Sequence, residues 1–499
     1  MFLGIDCGTQ GTKALLLDAD SGRVLGHGSA GYAMHSGANG CREQAPADWL
    51  TALAQATTQA LASAGISGQQ VKALGISGQQ HGLVLVDDQG QVLRPAKLWC
   101  DTESATQNDR LLAWLGGPQG SLQRLGLAIA PGYTVSKLLW TLEQHPAVFD
   151  RIAHILLPHD YLNFWLTGRA CAEYGDASGT GYFDVRTRSW DLGLLQHIDP
   201  SGRLQRALPT LIQAREPVGK VLPEVARQLG INPNAVVASG GGDNMMGAIG
   251  TGNIESGNIT MSLGSSGTVY AFSTQPIVSE EPAVATFCSS TDGWLPLICT
   301  MNLTNVTGAV RELLQLDLAG FNQQVASAPI GAEGVHMLPF LNGERVPALP
   351  HASGSLAGLT TANLTAANVC RAAVEGTTYG LRYGLDLLRE TGLQSQSIRL
   401  IGGGAKSPVW RQIVADIMQT PLACTREPEA AALGAAIQAA WCVGTEDLAQ
   451  LCQRCVQLDP ASHTEPLLTQ SQLYEQHYLH YRTEVDRLRD EQQGSKTCN

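Results

Sequence analysis

Two acids in this chain stand hard against runs of glycine. Asp6 directly precedes Cys7-Gly8-Thr9-Gln10-Gly11, and Asp243 directly follows Gly240-Gly241-Gly242. Asp6 reads in one of two ways. It is a turn-forming aspartate that bonds its own backbone, or it faces phosphates and holds Mg²⁺ through water, an ion that takes oxygen ligands and keeps part of its hydration shell. Asp243 is either a helix N-cap or a carboxylate placed to accept a proton from a substrate hydroxyl. A cap needs no glycines before it. Three in a row cost backbone entropy and point to something that approaches the chain closely.

The turn after Asp6 has a relative halfway along the chain, Gly264-Ser265-Ser266-Gly267. In both places a Gly-[Thr/Ser]-x-Gly turn joins two apolar strands. Such turns leave backbone N–H groups unshielded and make phosphate cradles. The first turn continues through Gln10 to Lys13. A third glycine junction, Gly402-Gly403-Gly404-Ala405, leads toward Trp410. Gln79-Gln80-His81-Gly82 closes a strand with polar groups. His81 alone reads as a satisfied structural residue, but glutamines that both donate and accept make a sugar-binding edge of the same segment. Met245 and Met246 read as core; Trp99 and Trp410 fit either core or site.

The elements that carry these residues alternate strand and helix, as in an α/β protein. Phe2–Asp6, Thr12–Asp18 and Val24–Tyr32 form a meander, and a helix starts at Pro46 and runs to Ala64. Val71–Ile76, Leu83–Val86 and Val236–Ser239 read as strands, with Met245–Gly250 a small-residue helix. Later come helices over Ala367–Leu388, Val409–Met418 and Ala430–Trp441, and a strand over Ile398–Ile401. A charged helix spans Gln472–Gln493, followed by a frayed tail at 494–499.

At 499 residues, more than one core is expected. Thirty-two basic against 44 acidic residues give a net charge of −12, which disfavours a nucleic-acid partner. No window approaches the roughly 18 apolar residues of a membrane span. The start lacks the cationic and apolar regions of a signal peptide, so a cytoplasmic location is expected. The 12 cysteines are scattered in apolar surroundings and read as buried thiols. Cys452 and Cys455 have no second pair at zinc spacing.

Taken together these residues resemble the FGGY carbohydrate kinases, and within them the pentulose kinases. The resemblance runs from Gly4 to about Ala440. It rests on GIDCGTQGTK (Gly4–Lys13), EQAPADW (Glu43–Trp49), GISGQQHG (Gly75–Gly82), LRPAKLWCD (Leu93–Asp101), KLLW (Lys137–Trp140), LLPHDYLNFWLTG (Leu156–Gly168) and DASGTGYFD (Asp176–Asp184). The second half adds GGGDN (Gly240–Asn244), SLGSSG (Ser262–Gly267), LPFLNGERVP (Leu338–Pro347), VEGTTYGLR (Val374–Arg382) and IGGGAKSPVWRQIVAD (Ile401–Asp416).

The resemblance implies two actin-like ATPase (ribonuclease H-like) domains, each a mixed five-stranded sheet with flanking helices, around a central cleft. It implies an N-terminal sugar-binding domain over 1–245, a C-terminal nucleotide-binding domain over 246–445, and a helical extension with tail over 446–499. The implied reaction is transfer of the ATP γ-phosphoryl group to a pentulose, D-xylulose giving D-xylulose 5-phosphate. Asp243 is then the general base, and Gln80, His81, Asp243 and Asn244 contact the sugar. Gly8, Thr9, Gln10 and Lys13 hold the nucleotide together with Gly264, Ser265, Ser266 and Gly267, while Gly403, Gly404 and Ala405 face adenine. Asp6 lies at the metal, and a homodimer is implied. Three residues depart from the bacterial pattern: Gln80 where Met is common, Cys100 where Asn is common, and Ala348 where His often follows. The first adds a donor and an acceptor to the sugar pocket and bears on which pentulose is preferred. Ribulose, L-xylulose and glycerol are the alternative substrates; a non-enzymatic actin-like nucleotide-regulated protein is the alternative of another class.

Overall fold

The computed structural model describes residues 1–496, with side chains to residue 491. It divides into two compact units. The first comprises Met1–Ile254, Phe272–Leu295 and Glu429–Gln457; the second comprises Glu255–Ala271, Pro296–Pro428 and Leu458–Asn499. Boundaries at 245 and 445 are therefore crossed twice, since 272–295 and 429–457 belong with the first unit.

The first unit is built on β1 (Phe2–Cys7), β2 (Gly11–Asp18), β3 (Arg23–Gly31), β4 (Ala73–Gly78), β5 (Gly219–Lys220), β6 (Val236–Val237) and β7 (Gly241–Gly242). The sheet order is β5-β6-β4-β1-β2-β3, with β7 also paired to β4. β1 is antiparallel to β2 and parallel to β4. Leu3, Ile5, Cys7 and Leu15–Leu17 are fully buried. Such unbroken apolar runs mark strands covered on both faces.

One face is covered by α1 (Pro46–Ala64), α2 (Pro158–Thr167) lies near β4, and α3 (Asp243–Gly250) leaves β7. The other cover is α4 (Ala430–Val443), apolar all round and buried along most of its length. It sits so close that a Cβ on Gly4 would lie 1.9 Å from the Ala432 carbonyl oxygen, and one on Gly75 would lie 2.2 Å from that of Ala435. Gly250 and Gly434 make the α3–α4 crossing equally tight, each with a virtual Cβ 1.8 Å from the facing helix's backbone oxygen. Gly4, the first glycine of GIDCGTQGTK, is thus a helix-packing residue.

In the second unit β8 (Gly257–Leu263), β9 (Gly267–Ala271), β10 (Trp294–Thr300), β11 (Ser395–Ile401) and β12 (Leu422–Cys424) run in the order β10-β9-β8-β11-β12. β8 is antiparallel to β9 and parallel to β11. Those are the same relations that β1 has to β2 and β4. Extending outward, β6-β4-β1-β2-β3 and β12-β11-β8-β9-β10 match strand for strand, with parallel and antiparallel steps in the same places. Both mixed sheets therefore contain the expected five strands; the first has seven in all, with β5 and β7 added, and the second has six.

Some local expectations differ. Leu83–Val86 joins no main sheet; Val84–Val86 pairs instead with His154–Leu156. The strand expected over Val236–Ser239 stops at Val237 and resumes as β7, because Gly240 turns the chain with φ +73°. The terminal helix runs from Leu468 to Lys496, so the tail expected from Gly494 is helical as far as described, and 497–499 lie outside the described residues. The described cysteines are free thiols, buried or half-buried.

Candidate active site

Asp243 is the first residue of α3, and Gly242 takes the N-cap position without a side-chain cap. The capping role is thereby displaced. Asp243 Oδ1 instead accepts from the backbone N–H of Asn244 at 2.8 Å and from its side-chain amide at 3.0 Å. Burial pushes the Asp243 pKa up to about 7; the Asp6 and Asp176 carboxylates add to the rise, and the Asn244 bonds oppose it. A carboxylate tuned to neutrality is matched to taking a proton at physiological pH.

The three glycines before it are crowded by the protein itself. A Cβ on Gly240 would lie 2.4 Å from the Ile76 carbonyl oxygen, and one on Gly241 would lie 2.5 Å from Ser290 Oγ. One on Gly242 would sit 2.8 Å from Gln80 Cγ and 3.0 Å from Asp176 Oδ1. The close approach inferred from sequence is real, but what approaches is a buried polar cluster rather than a ligand. Gln438 of α4 completes the mounting. Its amide accepts from Gly240 N–H at 2.9 Å and donates to Gly240 O at 3.1 Å.

Asn244 links Asp243 to the sugar-edge segment, because its amide also donates to Gln80 Oε1 at 3.0 Å. Gln80, Asn244 and Asp243 therefore form one chain of hydrogen bonds. His81 stands apart from it. Its Nδ1 meets the Gly179 carbonyl at 2.6 Å, and its ring lies against Tyr133 and Phe287. The backbone at His81 is left-handed, φ +64°, a conformation held by Thr134 Oγ1 and Lys137 Nζ, which donate to its carbonyl at 3.1 and 2.8 Å. Lys137 is fully enclosed, and burial lowers its pKa to about 7.

Asp6 lies at the end of β1 beside Ser77 of β4, whose hydroxyl donates to Asp6 Oδ1 at 2.7 Å. Burial raises its pKa, and Ser77 and Lys13 offset part of the rise. The turn that follows is braced from beneath. Tyr32 donates to the Gly8 carbonyl at 2.6 Å and Gln44 to the Thr9 carbonyl at 2.7 Å. The Thr9 hydroxyl donates to Gln79 Oε1 and accepts from Trp99 Nε1. Lys13 pairs with Glu429 at 2.5 Å. Thr9 and Lys13, expected at the nucleotide, thus already have protein partners, whereas Gln10 is exposed at the tip.

In the second unit the Gly264 carbonyl accepts from the N–H and hydroxyl of Thr304 at 3.1 and 2.8 Å, and Ser265 is exposed at the tip of the turn. Gly403–Lys406 forms a single 3-10 turn before the helix Pro408–Met418, which is capped by Ser407. Gly402 and Gly403 are exposed, while Gly404 and Ala405 are buried. Trp410 is core: it donates to Thr378 Oγ1 at 3.0 Å, and a Cβ on Gly404 would stand 3.2 Å from its ring.

Other motifs have structural work. Glu43 and Asp101 converge on the buried Lys97 ammonium, at 3.3 and 3.0 Å, and that ammonium also stands 4.0 Å from the Trp140 ring centre. Sequence reading missed Ser77, Gln438, His159 and Asp176. Ser77, His159 and Asp176 carried a signal, as polar residues inside the GISGQQHG, LLPHDYLNFWLTG and DASGTGYFD motifs; Gln438 carried none.

Residues 1–250 match the N-terminal domain of the FGGY family of carbohydrate kinases, and residues 259–443 match its C-terminal domain. The chain belongs to this family. It is 49% identical to the xylulose kinase of Haemophilus influenzae over 492 residues, 98% of this chain and 100% of that one. Among solved structures it is similar to a "xyloylose kinase" from Brucella ovis, with a TM-score of 0.90, 28% identity and coverage of 98% and 99% of the two chains. The xylulose kinase of Bifidobacterium adolescentis matches with a TM-score of 0.81 and 30% identity over 95% of this chain and 99% of that one. As an FGGY kinase the protein is an ATP-dependent carbohydrate phosphotransferase. Among the described residues, no helix is long and apolar enough to cross a membrane.

Proposed function

We propose that the protein phosphorylates D-xylulose on its C5 hydroxyl, with Asp243 as general base. The observation that carries the reading is the carboxylate at the start of α3, raised to about 7 and joined through Asn244 to Gln80. The nearly full-length likeness to a xylulose kinase directs the choice of sugar. Asp243 takes the hydroxyl proton as the oxygen attacks the γ-phosphorus in line. Gln80 and Asn244 orient the sugar, and the Gly8–Gly11 and Gly264–Gly267 turns each offer backbone N–H groups to phosphate oxygens.

Asp6 fits a Mg²⁺ site. Its carboxylate is raised by burial and itself raises Asp243, so the acids carry a repulsion that a hard, oxygen-seeking cation relieves. Bound Mg²⁺ supplies charge neutralisation to the transferring phosphoryl group. The net charge of −12 argues against nucleic acid as a partner, and we take the cytoplasm, where ATP is made, as the place of work.

The test is coupled ADP release with D-xylulose, L-xylulose, D-ribulose, L-ribulose and glycerol at saturating ATP. D-xylulose is expected to give the highest kcat/KM by at least tenfold. A higher value for glycerol or ribulose would reassign the substrate.

A further inference from the structure

Behind the Gln80–Asn244–Asp243 chain lies a buried ion cluster that the roles assigned above leave without a part. His159, at the start of α2, is fully enclosed. Its Nδ1 meets Asp176 Oδ2 at 2.6 Å, and its Nε2 lies 3.1 Å from Asp160 Oδ1. Burial works against a charged ring, but Asp160, Asp176 and Glu173 outweigh it and raise the His159 pKa to about 9. Glu173 also accepts the N–H groups of Gly175 and Asp176, at 2.8 and 2.6 Å, which fixes the backbone that carries Asp176.

Asp176 thus spends one oxygen on His159. The other, Oδ1, is buried and has no hydrogen-bond partner among the described residues, and the same holds for Gln80 Nε2. Both side chains converge on one point. The virtual Cβ of Gly242 lies 3.0 Å from Asp176 Oδ1 and 3.0 Å from Gln80 Cδ. An amide has two faces, and here the neighbours choose between them. With Oε1 toward Asn244, Gln80 accepts the Asn244 amide, and its Nε2 faces the turn that carries Asp176, 3.6 Å from the virtual Cβ of Gly179. Flipped, it would set NH₂ against NH₂ at Asn244 and leave its carbonyl oxygen to a carboxylate.

We propose that Asp176, anchored by His159, is a positioning residue for the base: its negative charge holds Gln80 in the orientation that delivers the Asn244 amide to Asp243. This rests on the assignment of Asp243 as general base. The group that chooses the Gln80 orientation is therefore not in the sugar site but one layer behind it, which gives GGGDN and DASGTGYFD a shared purpose.

The test is steady-state kinetics on whichever sugar the wild-type enzyme phosphorylates fastest, with thermal melting as a check on folding. Asp176→Asn is expected to lower kcat at least tenfold and to leave the KM for ATP within twofold. His159→Lys, which keeps a cation on Asp176, is expected to keep at least a third of wild-type kcat. Gln80→Glu, which places a carboxylate opposite Asp176, is expected to lose at least tenfold. Combining it with Asp176→Asn exchanges acid and amide across the gap and is expected to recover at least fivefold over the poorer single variant. A purely structural Asp176 predicts compounding losses instead. A kcat for Asp176→Asn within twofold of wild type overturns the proposal, and so does a double variant no better than the poorer single one. Should Asp176→Asn fail to fold, His159→Gln carries the test, because it removes the cation that anchors Asp176: a fall in kcat of at least threefold is expected, and an unchanged kcat overturns the proposal. Failure of the base assignment is read separately, as near-normal turnover by Asp243→Ala.

Discussion

Gln438 holds Gly240 from both sides, accepting its N–H at 2.9 Å and donating to its carbonyl at 3.1 Å, 198 residues away in sequence. A helix from near the C-terminus thereby sets the strand end from which Asp243 projects. Both partners are buried, so removing the amide leaves the Gly240 N–H without water or protein, while its carbonyl keeps only the Ser239 hydroxyl at 3.4 Å. Gln438→Leu is therefore expected to destabilise the protein by about 1–3 kcal/mol, the cost of one orphaned buried group. Urea unfolding measures this. Unchanged stability would show that the loop repairs itself without α4.

The raised pKa of Asp243 fixes the sign of the pH profile. A base is active when deprotonated, and Asp243 titrates at about 7 rather than in the ordinary carboxylate range. The rate is expected to climb with pH and level off above neutrality, falling about tenfold per unit on the acid side. Asp243→Asn keeps the shape and removes the base, so kcat should fall by about 10²–10⁴ while ATP binding persists. Measured kcat/KM from pH 5 to 9 checks the first, and isothermal titration with ATP checks the second. A profile flat down to pH 5 would assign the proton to another acceptor.

Much of this was legible in the sequence, and for reasons that can be named. Gly-x-x-Gly turns between apolar strands are local features, so both hairpins and their equivalence could be read from spacing alone. Asp6 and Asp243 stood out because an acid beside glycine is conspicuous. What stayed hidden was set by long-range packing. Nothing local in Ala430–Val443 says that this helix lies on a sheet begun at residue 2, and Gln438 looks like any helix glutamine. The glycines at 240–242 mark a close approach, yet their neighbours Ser290, Gln80 and Asp176 come from three distant segments. Thr9 and Lys13 were assigned by motif, and only the fold shows Trp99, Gln79 and Glu429 engaging them.

The tight seating of α4 makes a prediction at Gly4. A methyl group there would overlap the Ala432 carbonyl oxygen at 1.9 Å, and the obstacle is backbone, which cannot swing aside as a side chain can. Gly4→Ala is expected to cost about 3 kcal/mol or more, at the upper end of overpacking. Gly65→Ala is the comparison with no overlap: its site has nothing within 4 Å, so its cost comes only from the left-handed backbone. A Gly4→Ala protein as stable as wild type would mean that α4 sits farther from β1.

The His159 cluster predicts how stability varies with pH. The pKa of His159 is raised from 6.5 in the unfolded chain to about 9 in the fold. A group whose pKa rises on folding contributes its full stabilisation below the unfolded value and loses it as pH passes the folded one. The His159 contribution is therefore complete below about pH 6.5 and disappears between there and about pH 9. Asp160 and Glu173, both raised by burial to about 7, titrate earlier and push in the same direction, because each favours its protonated form in the fold. Over the same interval the buried Lys137, lowered to about 7, gains stability as pH rises, so the His159 contribution is read as a difference between wild type and variant. His159→Gln, which cannot carry the charge, should melt lower than wild type at pH 6.5, and the gap should close by about pH 9. A gap that stays constant from pH 6.5 to 9 would place the titrating group elsewhere.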